Sequence, residues 1–230
     1  MIDFKLPEHF ETLIVFDVET TGLDCRRDRI IEYGAVKHTK NECSAPVEDA
    51  LDVLIQLPDK QMLPTEIKRL TGITDAQLRE EGIPEAQAAR LISSMLSAPN
   101  TLLVAYNAQF DLCFLYRLLH RNGMEACLKQ VKLLDAMTIY RDRQPYPHKL
   151  SDAIAAYGVY CANTHRALDD ARATWELLCR MQEEQDDLGS YVNLFGYHPK
   201  YVVSGPKISS VTYRPQGFDS AGKLYELSLS

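Results

Sequence analysis

The chain has 230 residues, 46% of them hydrophobic and 25% charged, enough to bury a sizeable core in one domain with room for an appendage. A formal net charge of -7 argues against a protein that grips nucleic acid through a broad basic face, but not against an enzyme whose clustered carboxylates are offset by divalent cations. No apolar run approaches the roughly 18 residues of a membrane span, the first residues lack a basic-then-apolar leader, and the expected location is the cytoplasm.

In chain order, Thr12 to Val18, Ile30 to Lys37 and Asp52 to Leu57 are short β-rich apolar runs bounded by Gly, Pro or charge clusters, and are expected as strands. Longer periodic segments follow: Pro84 to Ser97, Ala108 to Asn122, Leu150 to Tyr157 and Arg166 to Glu184 are predicted as amphipathic helices. Two further strands are expected between them, Thr101 to Tyr106 and Val131 to Asp135. Strands first and then helix alternating with strand predict an α/β fold, a mixed sheet flanked by helices. From about Asp187 the composition shifts to Tyr, Gly, Pro and Ser, so residues 1–186 are expected as the main domain and 187–230 as a C-terminal extension. Its aromatics are expected to pack on the domain edge or on a second subunit, giving a homodimer, with a hairpin around Val211-Thr212-Tyr213; a single-strand-binding platform is the alternative.

The six cysteines are scattered without a Cys-x-x-Cys pair. They are expected as small buried hydrophobes, and Cys161 with His165 lacks the two further ligands a zinc site needs.

Three stretches concentrate acidic or basic chemistry. In Ile14-Val15-Phe16-Asp17-Val18-Glu19, strand alternation puts Asp17 and Glu19 on one face and Phe16 and Val18 on the other, so two carboxylates converge at a strand end. In Tyr106-Asn107-Ala108-Gln109-Phe110-Asp111, Asn107 is expected to cap the following helix and Asp111 to lie one turn in, near the positive end of its dipole. In His165-Arg166-Ala167-Leu168-Asp169-Asp170, Asp170 borders the buried stripe of Ala167, Ala171, Thr174, Trp175 and Leu178, with His165 at the helix start. Taken singly, each stretch has an ordinary reading as solvated strand-end charge, first-turn acid or cap.

In this order, Asp-x-Glu, Asn-x-x-Phe-Asp and His-x-Ala-x-x-Asp closely resemble the DEDDh exonucleases. These are the proofreading type of the ribonuclease H-like fold, which includes the epsilon subunit of DNA polymerase III; the resemblance runs from about Leu13 to about Glu184. Thr71-Gly72-Ile73-Thr74 and Leu133-Leu134-Asp135 also resemble connecting segments of bacterial proofreading exonucleases, especially those built into Gram-positive replicative polymerases. The family's other branch has tyrosine four residues before the last Asp, where this chain has Arg166, so the histidine branch is indicated. Many relatives have histidine where this chain has Thr71.

The resemblance implies a 3′→5′ exonuclease releasing nucleoside 5′-monophosphates. Asp17, Glu19, Asp111 and Asp170 would hold two Mg²⁺ or Mn²⁺ ions, and His165 would accept a proton from the attacking water. Substrate contacts are expected from Thr20, Thr21, Glu66, Thr71, Asn107 and Phe110. Arg26, Arg27, Arg29, Lys149 and Arg166 are candidates for meeting backbone phosphates. The expected partner is a single-stranded or frayed 3′ end of DNA, with RNA as the alternative substrate, and a DNA polymerase as an optional partner. A non-catalytic interaction subunit is the reading from another class.

Overall fold

The computed structural model describes residues 4–5, 9–40, 49–59, 61–160, 165–203, 205–218 and 222–227. Cys43 and Cys161 lie outside the described residues, and with Cys161 goes its pairing with His165; Cys25, Cys113, Cys127 and Cys179 are buried, as expected of small hydrophobes.

The sheet is built from strands β1 (Thr12–Thr20), β2 (Ile30–Thr39), β3 (Asp49–Leu54), β4 (Thr101–Ala105) and β5 (Lys132–Asp135), in the order β3-β2-β1-β4-β5. β1 pairs antiparallel with β2 and parallel with β4, so the sheet is mixed, as expected. β1 is central, and its alternate side chains feed two apolar layers: Leu13 and Val15 enter one, Ile14, Phe16 and Val18 the other. The Leu13 layer is covered by α5 (Ala136–Arg143), α6 (Leu150–Ala156) and α7 (Ala167–Glu184). The Phe16 layer is covered by α3 (Glu85–Leu96) and α4 (Ala108–Arg121). Both faces of the central strand are therefore dry, and a charged side chain can stand only where it leaves the sheet.

Some boundaries differ from the sequence expectation. β3 begins at Asp49 and ends at Leu54 rather than running from Asp52 to Leu57, because Lys37 pairs with Asp49 at 2.8 Å at its start and Ile55 leaves to bridge Ile83. Helices α1 (Thr65–Thr71), α2 (Asp75–Glu80) and α5 go beyond the expectation. α1 and α2 have too few large apolar residues for periodicity to register and α5 follows β5 without a break, although Thr74 and Gln77 form a readable capping box on α2.

The extension departs most from expectation. Instead of a hairpin about Val211–Tyr213, β6 (Leu194–Tyr197) pairs in parallel with β7 (Thr212–Pro215). The pair is fastened beside β5 by Asn193, whose backbone N–H donates to Leu133 O at 2.8 Å and whose Oδ1 accepts from Leu133 N at 2.9 Å. Tyr191 and Phe195 are buried in the two main layers and Tyr213 packs against one of them, so these aromatics lie on the chain's own domain edge.

The start of α7 rests directly on β2. A β-carbon added to Gly34 would come within 2.1 Å of Leu168 N and 2.3 Å of Ala167 C, backbone atoms that cannot swing aside. Gly34 is therefore what lets the helix approach Asp17, its register partner across the sheet. Gly34→Ala is expected to destabilise the protein by about 1–3 kcal/mol or more in urea unfolding, as an overpacked core does, and to displace the first turn of α7.

Candidate active site

Asp17 and Glu19 stand near the end of β1 on the face toward α7, as the alternation predicts. Asp111 enters from the first turn of α4, buried, with the Val18 backbone N–H donating to its carboxylate. Asp170 enters from the first turn of α7, also buried, and its Oδ1 has no hydrogen-bond partner among the described residues. His165, two residues before that helix, is exposed with a left-handed φ of 54°. A nitrogen of its ring and carboxylate oxygens of Glu19 and Asp170 all lie within 4.8 Å of one another.

Electrostatics ties the other two acids to this group. Burial raises Asp17 well above the ordinary carboxylate range, and Asp111, Asp170, Glu19 and Glu32 add repulsion in that order. Burial, then Asp170 and Glu32, push Glu19 up to about 8. Burial, then Asp169 and Glu32, push Asp170 up to about 7. Burial also raises Asp111, against the pull of its own N–H and that of Val18, with Asp135 and Glu19 adding to the rise. Arg166 pulls Glu19 the other way, but its charge is engaged by Glu32 and does not offset the burial and repulsion of these acids. With an orphaned carboxylate oxygen and a histidine among them, the donor set fits a hard divalent cation held by oxygen and imidazole.

The residue missing from the sequence expectation is Glu32. It lies in β2 directly opposite Glu19, fully buried. Two like charges facing each other across strands are unfavourable, and Glu32 is compensated from α7 instead. Arg166 approaches its Oε1 at 2.7 Å through Nε and 2.5 Å through Nη2, while the Ala167 backbone N–H donates to Oε2 at 2.9 Å. Glu32 thus caps α7 from another strand and seats the turn that carries Asp170. The available signal was a lone acid inside the apolar run Ile30-Ile31-Glu32-Tyr33, which burial obliges to find a partner.

Asp135 does the same for α4. Asn107 occupies the position before that helix, but with φ 65°, an exposed side chain and no capping hydrogen bond from it. Asp135 Oδ1 accepts from Ala108 N at 3.1 Å, and its Oδ2 accepts from the Thr138 hydroxyl at 2.6 Å. The expected cap by Asn107 is corrected to a cap by Asp135, because the αL backbone of Asn107 turns its side chain outward.

The remaining expected contacts are dispersed. The Thr20 hydroxyl donates to Gly22 O at 2.7 Å; that of Thr21 donates to Asp28 and accepts from Arg29 N, so both threonines are buried and hold their own loop. Thr71 is buried too, its hydroxyl donating to Ile67 O and accepting from Ile73 N. Glu66 is exposed in the first turn of α1. Phe110 is half-buried against Phe114, with ring centroids 4.9 Å apart. Arg26 and Arg27 are exposed beside Asp24, Arg29 is half-buried, Lys149 is exposed, and Arg166 is occupied by Glu32.

Comparison with known proteins adds the following. An exonuclease family model (RNase_T) matches residues 14–178. The chain is 30% identical over 186 residues to the DNA polymerase III subunit epsilon of Treponema pallidum, covering 77% of this chain and 79% of that one. It is 31% identical over 182 residues to the PolC-type DNA polymerase III of Caldanaerobacter subterraneus, where the match takes in 76% of this chain but only 12% of the polymerase. Among solved structures, a zinc-bound complex of Escherichia coli exonuclease I with single-stranded DNA superposes with a TM-score of 0.70 at 23% identity. That superposition covers 79% of this chain and 42% of the other, and it agrees with the mixed sheet flanked by helices. No helix among the described residues is long and apolar enough to cross a membrane.

Two outcomes follow from the electrostatics. Because the folded state retains protons that the unfolded chain releases, metal-free protein in EDTA should lose stability as pH rises from about 4.5, the ordinary value for Glu19, to about 8, its folded value, with Asp170 contributing up to about 7. Thermal unfolding should show a falling Tm across that window, and millimolar Mn²⁺ should oppose the fall. Glu32→Ala leaves Arg166 and the Ala167 N–H without their acceptor. The expected cost is about 2–3 kcal/mol in urea unfolding, below that of a fully buried broken pair because Arg166 regains water.

Proposed function

This chain belongs to the exonuclease family, and on that premise we propose that it is a divalent-metal-dependent 3′→5′ exonuclease acting on single-stranded or frayed 3′ ends of DNA, alone or beside a DNA polymerase. The observation that carries the reading is the convergence of half-buried and buried carboxylates with a histidine at one edge of the sheet, Glu19, Asp170 and His165 within 4.8 Å of one another. The names of the polymerase relatives support DNA over RNA.

In this reading Asp17, Glu19, Asp111 and Asp170 hold two Mg²⁺ or Mn²⁺ ions. When bound, such ions supply Lewis-acid activation of water and stabilisation of the departing 3′ oxygen in an in-line displacement at phosphorus. His165 is exposed, within reach of Glu19 and Asp170, and accepts the proton of the attacking water at a ring nitrogen. The Glu32 and Arg166 pair keeps His165 and Asp170 on one seated turn. Cleavage of the P–O3′ bond on the 5′ side of the last phosphate releases a nucleoside 5′-monophosphate and leaves a 3′-hydroxyl on the shortened strand.

The test is a time course on 5′-labelled single-stranded DNA and RNA of matched sequence with Mn²⁺ or Mg²⁺. Shortening by single nucleotides from the 3′ end, faster on DNA, is expected; full-length DNA throughout would return the chain to the interaction-subunit reading. Asp17→Ala should abolish hydrolysis at any metal supply while leaving metal-free stability equal or higher, because a buried and repelled carboxylate is gone. His165→Ala should lower kcat by roughly 10² to 10⁴, the range for a lost general base.

A further inference from the structure

We propose that the C-terminal extension builds a second binding site, a stacking cleft for an unpaired nucleobase of the strand upstream of the scissile bond, formed by Tyr197, His198, Tyr201 and Arg141. The proposal rests on the exonuclease reading for the identity of the strand, and on four independent features of the extension for its place.

Topology brings the extension to the right edge. β1, β4 and β5 run parallel, so their C-terminal ends lie together with Asp17 and Glu19. β6 runs in the same direction beside them: Asn193 bonds Leu133, and Gly196 N donates to the Thr138 hydroxyl at 2.9 Å. Tyr197 and His198 therefore emerge at the edge where open α/β sheets bind ligands. Three strand spacings from β1 amount to about 14 Å, farther from Asp17 and Glu19 than a single terminal nucleotide held by them would reach.

A cavity is present there. It measures about 190 Å³ and is lined by Asn107, Arg141, Tyr197, His198, Tyr201 and Tyr213 among others. Asn107 immediately precedes α4, whose first turn carries Asp111, so the cleft adjoins the acidic cluster.

Its chemistry suits a base and its phosphate. The His198 and Tyr201 rings lie 5.1 Å apart, and Tyr201 is 62% exposed, an open aromatic face. The buried Nε of Arg141 has no hydrogen-bond partner among the described residues. Lys200 Nζ lies 5.3 Å from the Tyr201 ring at the rim. In a chain of net charge -7, aromatic faces with a few local cations are how a single strand is held without a basic surface.

The cleft is also rigid where it meets the site. The Tyr213 hydroxyl donates to Gln109 Oε1 at 2.6 Å and accepts from Ile208 N at 2.9 Å, while Gln109 Nε2 donates to Pro206 O at 2.8 Å. These bonds tie the extension to the same turn that presents Asp111. Tyr197, His198 and Tyr201 lie beyond residues 14–178, the part of the chain that the family model matches, whereas Asn107 and Arg141 lie within it.

The experiment compares the full chain and the variants Tyr201→Ala, Tyr201→Phe and Arg141→Ala on two substrates. One is the p-nitrophenyl ester of thymidine 5′-monophosphate, which occupies only the terminal position; the other is a short oligothymidylate. For Tyr201→Ala the ratio of kcat/KM on the oligomer to that on the ester should fall on the order of tenfold, the worth of one stacked base, and Tyr201→Phe should restore it. Arg141→Ala should lower the same ratio. An unchanged ratio in both alanine variants overturns the cleft while leaving the exonuclease reading intact. Wild-type protein that cleaves neither substrate defeats the exonuclease reading instead; fluorescence anisotropy of the oligomer in EDTA then decides the cleft, with weaker binding by Tyr201→Ala supporting it and equal binding overturning it.

Discussion

Carboxylates gathered at the end of a strand that is dry on both faces repel one another and resist losing their protons. Asp17, Glu19, Asp111 and Asp170 are in that position, with burial the largest cause for each and repulsion from neighbouring acids adding to it. Such an arrangement opposes folding unless the rest of the chain enforces it or a cation relieves it. Much of the local architecture reads as enforcement.

The enforcing contacts act on helix starts. Glu32 reaches from β2 to cap α7 and to fix Arg166, and Asp135 reaches from the end of β5 to cap α4. Each helix presents an acid within its first turn, so each cap sets the position of a carboxylate as well as satisfying backbone donors. Gly34 completes the seat of α7 by the absence of a side chain. Glu32 and Asp135 thus have their carboxyl oxygens engaged with backbone N–H groups, Thr138 or Arg166, while the acids they position are left facing one another. That division separates the acids that build the site from the acids available to a cation.

The extension serves the same edge from the other side of the sheet. Its buried residues, Tyr191 and Phe195 above all, are integrated into the two main layers. Its exposed ring, Tyr201, faces solvent beside the cleft rather than joining the core. A short parallel ribbon with a long connection between its strands places aromatic residues at the active edge, which an antiparallel turn about Val211–Tyr213 would not have done.

The sequence by itself determined the strand alternation that pairs Asp17 with Glu19, the helices α3, α4, α6 and α7, the mixed sheet and the order of acidic motifs, because each is written in neighbours within a turn or a strand. Helices α1 and α2 escaped because each has few large apolar residues, Ile67 and Leu70 in one and Leu78 in the other, and α5 because it follows β5 with no residue between them. Only the tertiary structure decided that Glu32 belongs to α7, that Asp135 rather than Asn107 caps α4, and that the extension lies parallel beside β5. Glu32 and Ala167 are 135 positions apart in the chain, and Asn193 and Leu133 are 60 apart. Contacts of that separation arise from how layers stack, and burial then compels each isolated polar group to take whatever partner the stacking has brought within reach.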